Sequence, residues 1–218
     1  MTGVIPLSDA SRRPKTRPGI TVLLIAMNAV IFGVELFQGE SFVMQWAATA
    51  ADITAGHRLY TLVTSMFLHG SWSHIIGNMV FFWAFGPGVE DAMGHARYAF
   101  FYLVGGAVAF LAQVLVTPSS TIPMVGASGA IAAVMGAFLV MYPRDRIKSV
   151  VLLGWWVNIT FIPAAVLIGV WFLLQLISIG VVGHQSSAGG VAYLAHVAGM
   201  IFGAITARVF EGGERAPA

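Results

Sequence analysis

Apolar residues in this chain fall in long unbroken runs rather than in alternation. The runs cover Ile20 to Phe37, Trp72 to Phe85, Tyr98 to Val116, Ala127 to Tyr142, Pro163 to Val182 and Val191 to Phe210. Continuous runs of this kind predict helices and exclude a membrane barrel, whose strands alternate residue by residue. A bilayer-spanning helix needs about 17–25 mostly apolar residues, so the pattern predicts an all-α bundle of six transmembrane helices. The stretch from Val150 to Ile162 is thirteen residues long, too short to span, and its Trp155, Trp156 and Asn158 suit an interfacial position. The first run has a basic stretch before it, as a signal peptide would. The following FGVELFQGES offers no small-x-small cleavage pattern, so a retained helix is expected.

Composition agrees. Of 218 residues, 58% are hydrophobic and only 9% charged, against roughly 45–50% and about 25% in a typical soluble domain. A soluble surface cannot be covered with so little charge, and a mean hydropathy of +0.84 places the chain in lipid. Fifteen Phe, 6 Trp and 25 Gly fit interfacial anchors and close helix packing. The absence of Cys excludes a disulfide scaffold, thiol nucleophiles and Cys-ligated zinc, and a scattered net charge of +2 argues against nucleic acid.

Basic residues set the orientation. With the N-terminus cytoplasmic, ten of the 11 Lys and Arg fall inside, from Arg12, Arg13, Lys15 and Arg17 to Arg208 and Arg215, and only Arg58 falls outside. Six crossings then leave both termini in the cytoplasm. The expected organisation is a basic tail over 1–18, a six-helix core over 19–210 and a C-terminal tail over 211–218.

Two features break the simple pattern. The link from Gln38 to Ser71 is long yet rich in Phe, Trp, Leu and Met, which predicts a loop partly sunk in the outer leaflet. The fourth run has only sixteen residues, roughly 24 Å of helix against a core of about 30 Å. Irregular backbone just before it (SSTIPMVG) is tolerated at that depth only where protein buries it or water reaches it. A water-accessible pit opening to the outside follows.

Polar groups in the membrane-spanning runs need a reason. His74 and Asn78 are four apart and share a helix face; Ser128 opens the fourth run and His196 lies in the sixth. Counted from the inner helix ends, Ser128 stands roughly 21 Å up and His74 and His196 each roughly 18 Å, within one turn of one another. Small-xxx-small faces (Ala195, Gly199, Gly203; Gly129, Ala133; Ala132, Gly136) would let the fourth and sixth helices approach closely. A hydroxyl beside a neutral imidazole is the minimum for an activated nucleophile. A helix N-terminus, with His74 and Asn78, would supply donors to an oxyanion.

No acid is expected at this depth: Glu40 and Asp52 fall in the first outer loop and Glu90 and Asp91 inside, so the arrangement would be a Ser–His dyad. His69 and His74 stand about 140° apart on a helix, poor spacing for a metal pair; no His-Glu-x-x-His run exists, and His57, His95 and His184 read as loop residues. Neither metal nor cofactor is called for. Simpler readings stand beside the chemical one: Ser128 as a packing residue, His196 as an interhelical hydrogen bonder, Asn78 as glue. A transporter would show inverted repeats and midplane charges, and neither is visible.

The motifs also resemble a known family. GASGA (Gly126 to Ala130), AHVAG (Ala195 to Gly199), HGSWSHIIGN (His69 to Asn78) and FGPGVED (Phe85 to Asp91) are similar to four signatures of the rhomboid intramembrane serine proteases, in order and on the corresponding helices. The resemblance covers about residues 18 to 210. It implies six helices around a water-filled cavity and cleavage of membrane-protein substrates within the bilayer, near the outer leaflet. By position, Ser128 would be nucleophile and His196 general base. His74, Asn78 and the Ser128 N–H would form the oxyanion hole. Gly126 and Gly129 would permit close approach, Gly199 would serve the contact between the fourth and sixth helices, and Glu90 belongs to the second-helix signature. Arg58 resembles the Arg of a first-loop Trp-Arg motif, with His57 in place of the Trp. The aromatic that many members carry four residues after the nucleophile is Ala132 here. A silent relative acting as a membrane-protein binder or chaperone is the alternative. The resemblance also implies a bacterial inner membrane.

Overall fold

Continuous apolarity yields helices wherever the chain is long enough to close its own backbone hydrogen bonds. The computed structural model describes residues 2–182 and 193–212; His184, Arg215, the first two residues of the sixth run and the tail over 213–218 lie outside them. The runs form α1 (Gly19–Gln38), α5 (Trp72–Met93), α6 (His95–Val116), α7 (Ser128–Met141), α8 (Ala164–Val182) and α9 (Tyr193–Phe210). Among the described residues, α1, α6 and α9 are each long and apolar enough to cross a membrane. This is an integral membrane protein. The link after α1 folds into α2 (Glu40–Trp46), α3 (Ala50–Thr54), α4 (Thr61–Thr64) and a 3-10 turn over Ser65–Phe67.

The fold is mostly helical rather than all-α. Where an interfacial segment is expected, β2 (Arg146–Leu153) and β3 (Trp156–Pro163) form an antiparallel hairpin, and β1 (Thr2–Asp9), from the stretch read as a tail, pairs with β2 from Thr2↔Leu153 to Asp9↔Ile147. The local chemistry explains this. Val150, Val151, Val157, Ile159, Thr160 and Ile162 are β-branched. Gly154, at φ +64°, is the first residue of a two-residue turn, the Gly-first arrangement that matches strand twist. A run too short to span as a helix satisfies its backbone by pairing instead. β1 lies against α5, where Pro6 and Leu7 share a groove with Ile75, Met79 and Trp83, and β3 leads into α8.

Buried polar anchors tie α5 to the start of α1. Glu90 of α5 is fully buried, and its carboxylate accepts from the Ile20 and Thr21 amides (both 2.8 Å) and from Thr21 Oγ1 (2.6 Å). It thereby caps α1 at the positive end of the helix dipole. His95 Nδ1 reaches the same carboxylate at 2.6 Å. Arg12 pairs with Asp145 at 2.5 Å and lies over the Tyr142 ring, which fixes β1 to the loop before β2. Asp9 sits beside this pair with one carboxylate oxygen buried and unpartnered. Burial, with the Asp145 charge adding to it, pushes Asp9 from 3.8 up to about 6.

The most extensive interhelical contact is α7 on α9. Its closeness depends on small residues: a Cβ added to Gly203 would lie 1.9 Å from the Ala133 carbonyl oxygen, and one added to Gly136 2.1 Å from that of Met200. Backbone meets backbone here, the usual solution where lipid removes the hydrophobic drive between helices.

Gly203→Ala should therefore destabilise the protein by about 1–3 kcal/mol through forced separation of α7 and α9. Gly169→Ala on α8, where an added Cβ meets nothing within 4 Å, should be neutral or slightly stabilising; thermal unfolding in detergent compares the two. For Asp9 the folded pKa is above the unfolded value, so the charged form costs stability above pH about 6 and the cost vanishes below about 4. Asp9→Asn should raise Tm at pH 7.5 and leave it unchanged at pH 4.

Candidate active site

Ser128 is the first residue of α7, where the amides of the opening turn have no intrahelical partners. It follows Gly126, held at φ +123°, a conformation that L side chains rarely adopt. The Gly126 amide donates to the Ser65 carbonyl at 2.9 Å, which ties the approach to α7 to the first loop. A Cβ on Gly126 would lie 2.8 Å from His74 Nε2 and 3.6 Å from Ser128 Oγ. Glycine therefore leaves His74 and Ser128 room on the two sides of one backbone position.

His196 enters from α9, directly after buried Ala195, and is 7% exposed. Its Nε2 lies 2.6 Å from Ser128 Oγ and its Nδ1 2.8 Å from Gln175 Oε1 of α8. Gly199, one turn further along α9, allows the contact: a Cβ there would lie 2.3 Å from the Gly129 carbonyl oxygen, and one on Gly129 2.6 Å from the Ala109 Cβ. Ser128 itself is half-buried, so the pair is not sealed from its surroundings.

The other polar residues form a second group beside the pair. Asn78 Nδ2 lies 3.0 Å from His69 Nε2, and the His69 and His74 rings meet edge to face at 5.0 Å. Both carboxylate oxygens of Glu35, buried near the C-terminal end of α1, accept from the His69 amide at 3.1 Å. The expectation of no acid at this level is thereby corrected. Glu35 stands within the first apolar run and is hidden by it, while its role is to pin the loop that carries His69 rather than to face His196. The amide of Asn78, expected to face the reacting centre with His74, donates toward His69. Arg58 sits in the first loop at φ +49°, where its guanidinium reaches Asp52 (2.9 Å) and the Met44 and Gln45 carbonyls, so it holds the loop's turns together. Glu90 lies away from this group, at the α1 cap described above.

A family profile for the rhomboid domain matches residues 56–211. The chain belongs to the rhomboid family. Among curated rhomboid relatives, it is 28% identical over 134 residues to the rhomboid protease GluP of Bacillus subtilis strain 168, which spans 60% of this chain and 26% of the relative. It is 28% identical over 207 residues to the RHOMBOID-like protein 12, mitochondrial, of Arabidopsis thaliana, at 87% and 58% coverage, and 26% identical over 125 residues to the putative rhomboid protease YdcA of Bacillus subtilis, at 56% and 62%. The chain thus spans between about a quarter and three fifths of the length of these rhomboid relatives.

Ala132, in place of the aromatic of many rhomboids, is wholly buried and offers the imidazole no ring. The aromatic contacts to His196 come from Trp171 of α8, with ring centroids 5.6 Å apart, and from Tyr193 of α9, edge-on at 6.4 Å. Sequence reasoning missed Trp171, Gln175 and Glu35. The available signal was polarity in apolar runs: Gln175 is the lone amide in AAVLIGVWFLLQLISIGVV and Glu35 the lone acid in the first run.

Glu35→Ala would leave the buried His69 amide without its acceptor. A loss of about 1–3 kcal/mol is expected, read as a fall in Tm in detergent, with Glu35→Gln retaining part of it.

Proposed function

We propose that this protein is an intramembrane serine endopeptidase that cleaves transmembrane segments of other membrane proteins near the outer leaflet. The observation that carries the reading is the 2.6 Å approach of Ser128 Oγ to His196 Nε2 at a helix N-terminus. Membership of a family whose curated relatives include named proteases supports it. In this reading α1, α5, α6, α7, α8 and α9 are six crossings with both termini in the cytoplasm of a bacterial cell, as the distribution of Lys and Arg favours. Residues 19–210 are the core, and the 14 residues of α7, roughly 21 Å of helix, leave Ser128 below the outer surface in a pit that water enters. The loop over 39–71 lies partly in the outer leaflet.

The chemistry follows from the donors and acceptors present. Ser128 Oγ attacks the scissile carbonyl carbon while His196 Nε2 takes its proton. The oxyanion that forms is met by the free Ser128 amide at the positive end of α7 and by the His74 side chain. Asn78 supports this site through its second amide hydrogen and by holding the His69–His74 pair. Collapse expels the amine, which leaves with the proton from His196, and an acyl-enzyme remains on Ser128. Water, deprotonated by His196, then releases the acid product and restores the hydroxyl. A substrate helix must unwind locally first, since a helical carbonyl is hydrogen-bonded and screened. Segments with Gly or Pro near the outer leaflet are the favoured substrates.

Ser128→Ala and His196→Ala should each lower cleavage of a single-span reporter by at least about 10⁴-fold, with Tm little changed. A fluorophosphonate should label the wild-type protein and not the Ser128→Ala variant. Cleavage that survives Ser128→Ala refutes the assignment. A folded wild-type protein that neither cleaves nor labels but still binds membrane proteins would be the silent relative.

A further inference from the structure

We propose that Gln175 of α8 is a positioning residue for the general base: its amide oxygen accepts the Nδ1–H of His196 and so holds the ring in the tautomer that presents a lone pair to Ser128. This rests on the protease reading above. The contacts around the imidazole carry it. Gln175 Oε1 is 2.8 Å from Nδ1, on the side of the ring opposite the 2.6 Å contact of Nε2 with Ser128. Both ring nitrogens are thereby used, one as donor and one as acceptor, which is the full capacity of a neutral imidazole. Trp171 lies one helical turn before Gln175, on the same face of α8, and its ring is the one 5.6 Å from that of His196. One helix therefore contributes both an aromatic contact and a hydrogen-bond acceptor, while position 132 contributes only a methyl group.

The placement of Gln175 is itself unusual. Its neighbours Leu173, Leu174, Leu176 and Ile177 are all exposed on the bundle's outer side, in keeping with lipid contact. A primary amide among them is costly unless partnered. Among the described residues, its bond to His196 is the side-chain hydrogen bond that ties α8 to another helix. A neutral amide oxygen cannot take the proton, so Gln175 acts only through the orientation and charge of the imidazole. As His196 gains a proton in the transition state, its Nδ1–H becomes a charge-assisted donor and the bond strengthens. An interaction that strengthens only then appears in kcat and leaves KM unchanged.

The test uses the full chain in detergent with a single-span reporter, the variants Gln175→Leu and Gln175→Glu, and ¹⁵N-histidine NMR, with the His196 signals identified by their loss in His196→Ala. Gln175→Leu should lower kcat about 10–100-fold with KM within about twofold, and should slow fluorophosphonate labelling of Ser128 in parallel. Gln175→Glu should recover most of that loss. It should also move the acid limb of the pH–rate profile upward, because a carboxylate stabilises the imidazolium. The wild-type His196 should carry its proton on Nδ1 and lose that fixed tautomer in Gln175→Leu. Wild-type kinetics with an unmoved profile in Gln175→Leu would overturn the proposal, as would a proton found on Nε2, which means the amide faces the ring with its NH₂. Should Gln175→Leu fail to fold, the pH shift of Gln175→Glu and the wild-type tautomer decide. A wild-type protein with neither cleavage nor labelling fails the protease reading instead, and the tautomer alone then shows whether Gln175 sets the ring.

Discussion

The closeness of α7 and α9 is the constraint on which the rest of the structure depends. Two helices with ordinary side chains between them stand 8–10 Å apart. Here the positions of Gly136, Gly199 and Gly203 leave room for neither a methyl group nor a change of rotamer, because the facing atoms are backbone carbonyl oxygens. Ser128 heads one helix and His196 lies one turn before Gly199 on the other, so a separation set by backbone contact becomes a 2.6 Å contact between side chains. The polar pair does not hold the helices together; small residues do, and the pair profits. That order of cause matters in lipid, where an interhelical hydrogen bond is worth only on the order of 1 kcal/mol and cannot by itself impose a geometry.

Two buried carboxylates serve the same end from further away. Glu90 caps α1 at its start and Glu35 holds the loop amide of His69 near its other end, so α1 is fixed to α5 at one end and to the first loop at the other. Neither acid touches Ser128 or His196. Charged groups in an apolar bundle are costly, and both are satisfied by backbone N–H donors rather than by bases alone. The result is a frame in which buried His69 meets both His74 and Asn78.

Much of this was legible in the chain. Unbroken apolar runs gave the helices because a bilayer leaves backbone groups no other partner, and the spacing of Gly199 and Gly203 against Ala133 and Gly136 gave the close pair. The four motifs pointed to the family. The sheet was not legible: at thirteen residues, Val150 to Ile162 reads as an interfacial segment too short to span, and nothing local says that residues 2–9, more than a hundred positions earlier, complete it. Glu35 and Gln175 escaped for a related reason. Each is one polar residue in a run whose average is strongly apolar, and an average over a run erases the single residue that requires a partner. The direction of the Asn78 amide, toward His69, depends on where a loop residue comes to rest, which helical spacing does not encode.

The same geometry divides the His196 imidazole between two supports of different stiffness. From α9, His196 inherits the backbone-to-backbone contact with α7, which can shift only if main chain moves. From α8 it receives the Trp171 ring and the Gln175 amide, on a helix whose outer side is bare of protein and whose packing on α7 and α9 is slight beside that of α7 on α9. Position of the imidazole is therefore set by the rigid pair, and its orientation by the looser helix. Where many rhomboids place an aromatic on the nucleophile's own helix, both duties fall within one stiff unit. With Ala132 they are separated, so a displacement of α8 that leaves Ser128 and α9 in place would still turn the imidazole. Whatever moves α8 then acts on the orientation of the imidazole without touching the hydroxyl.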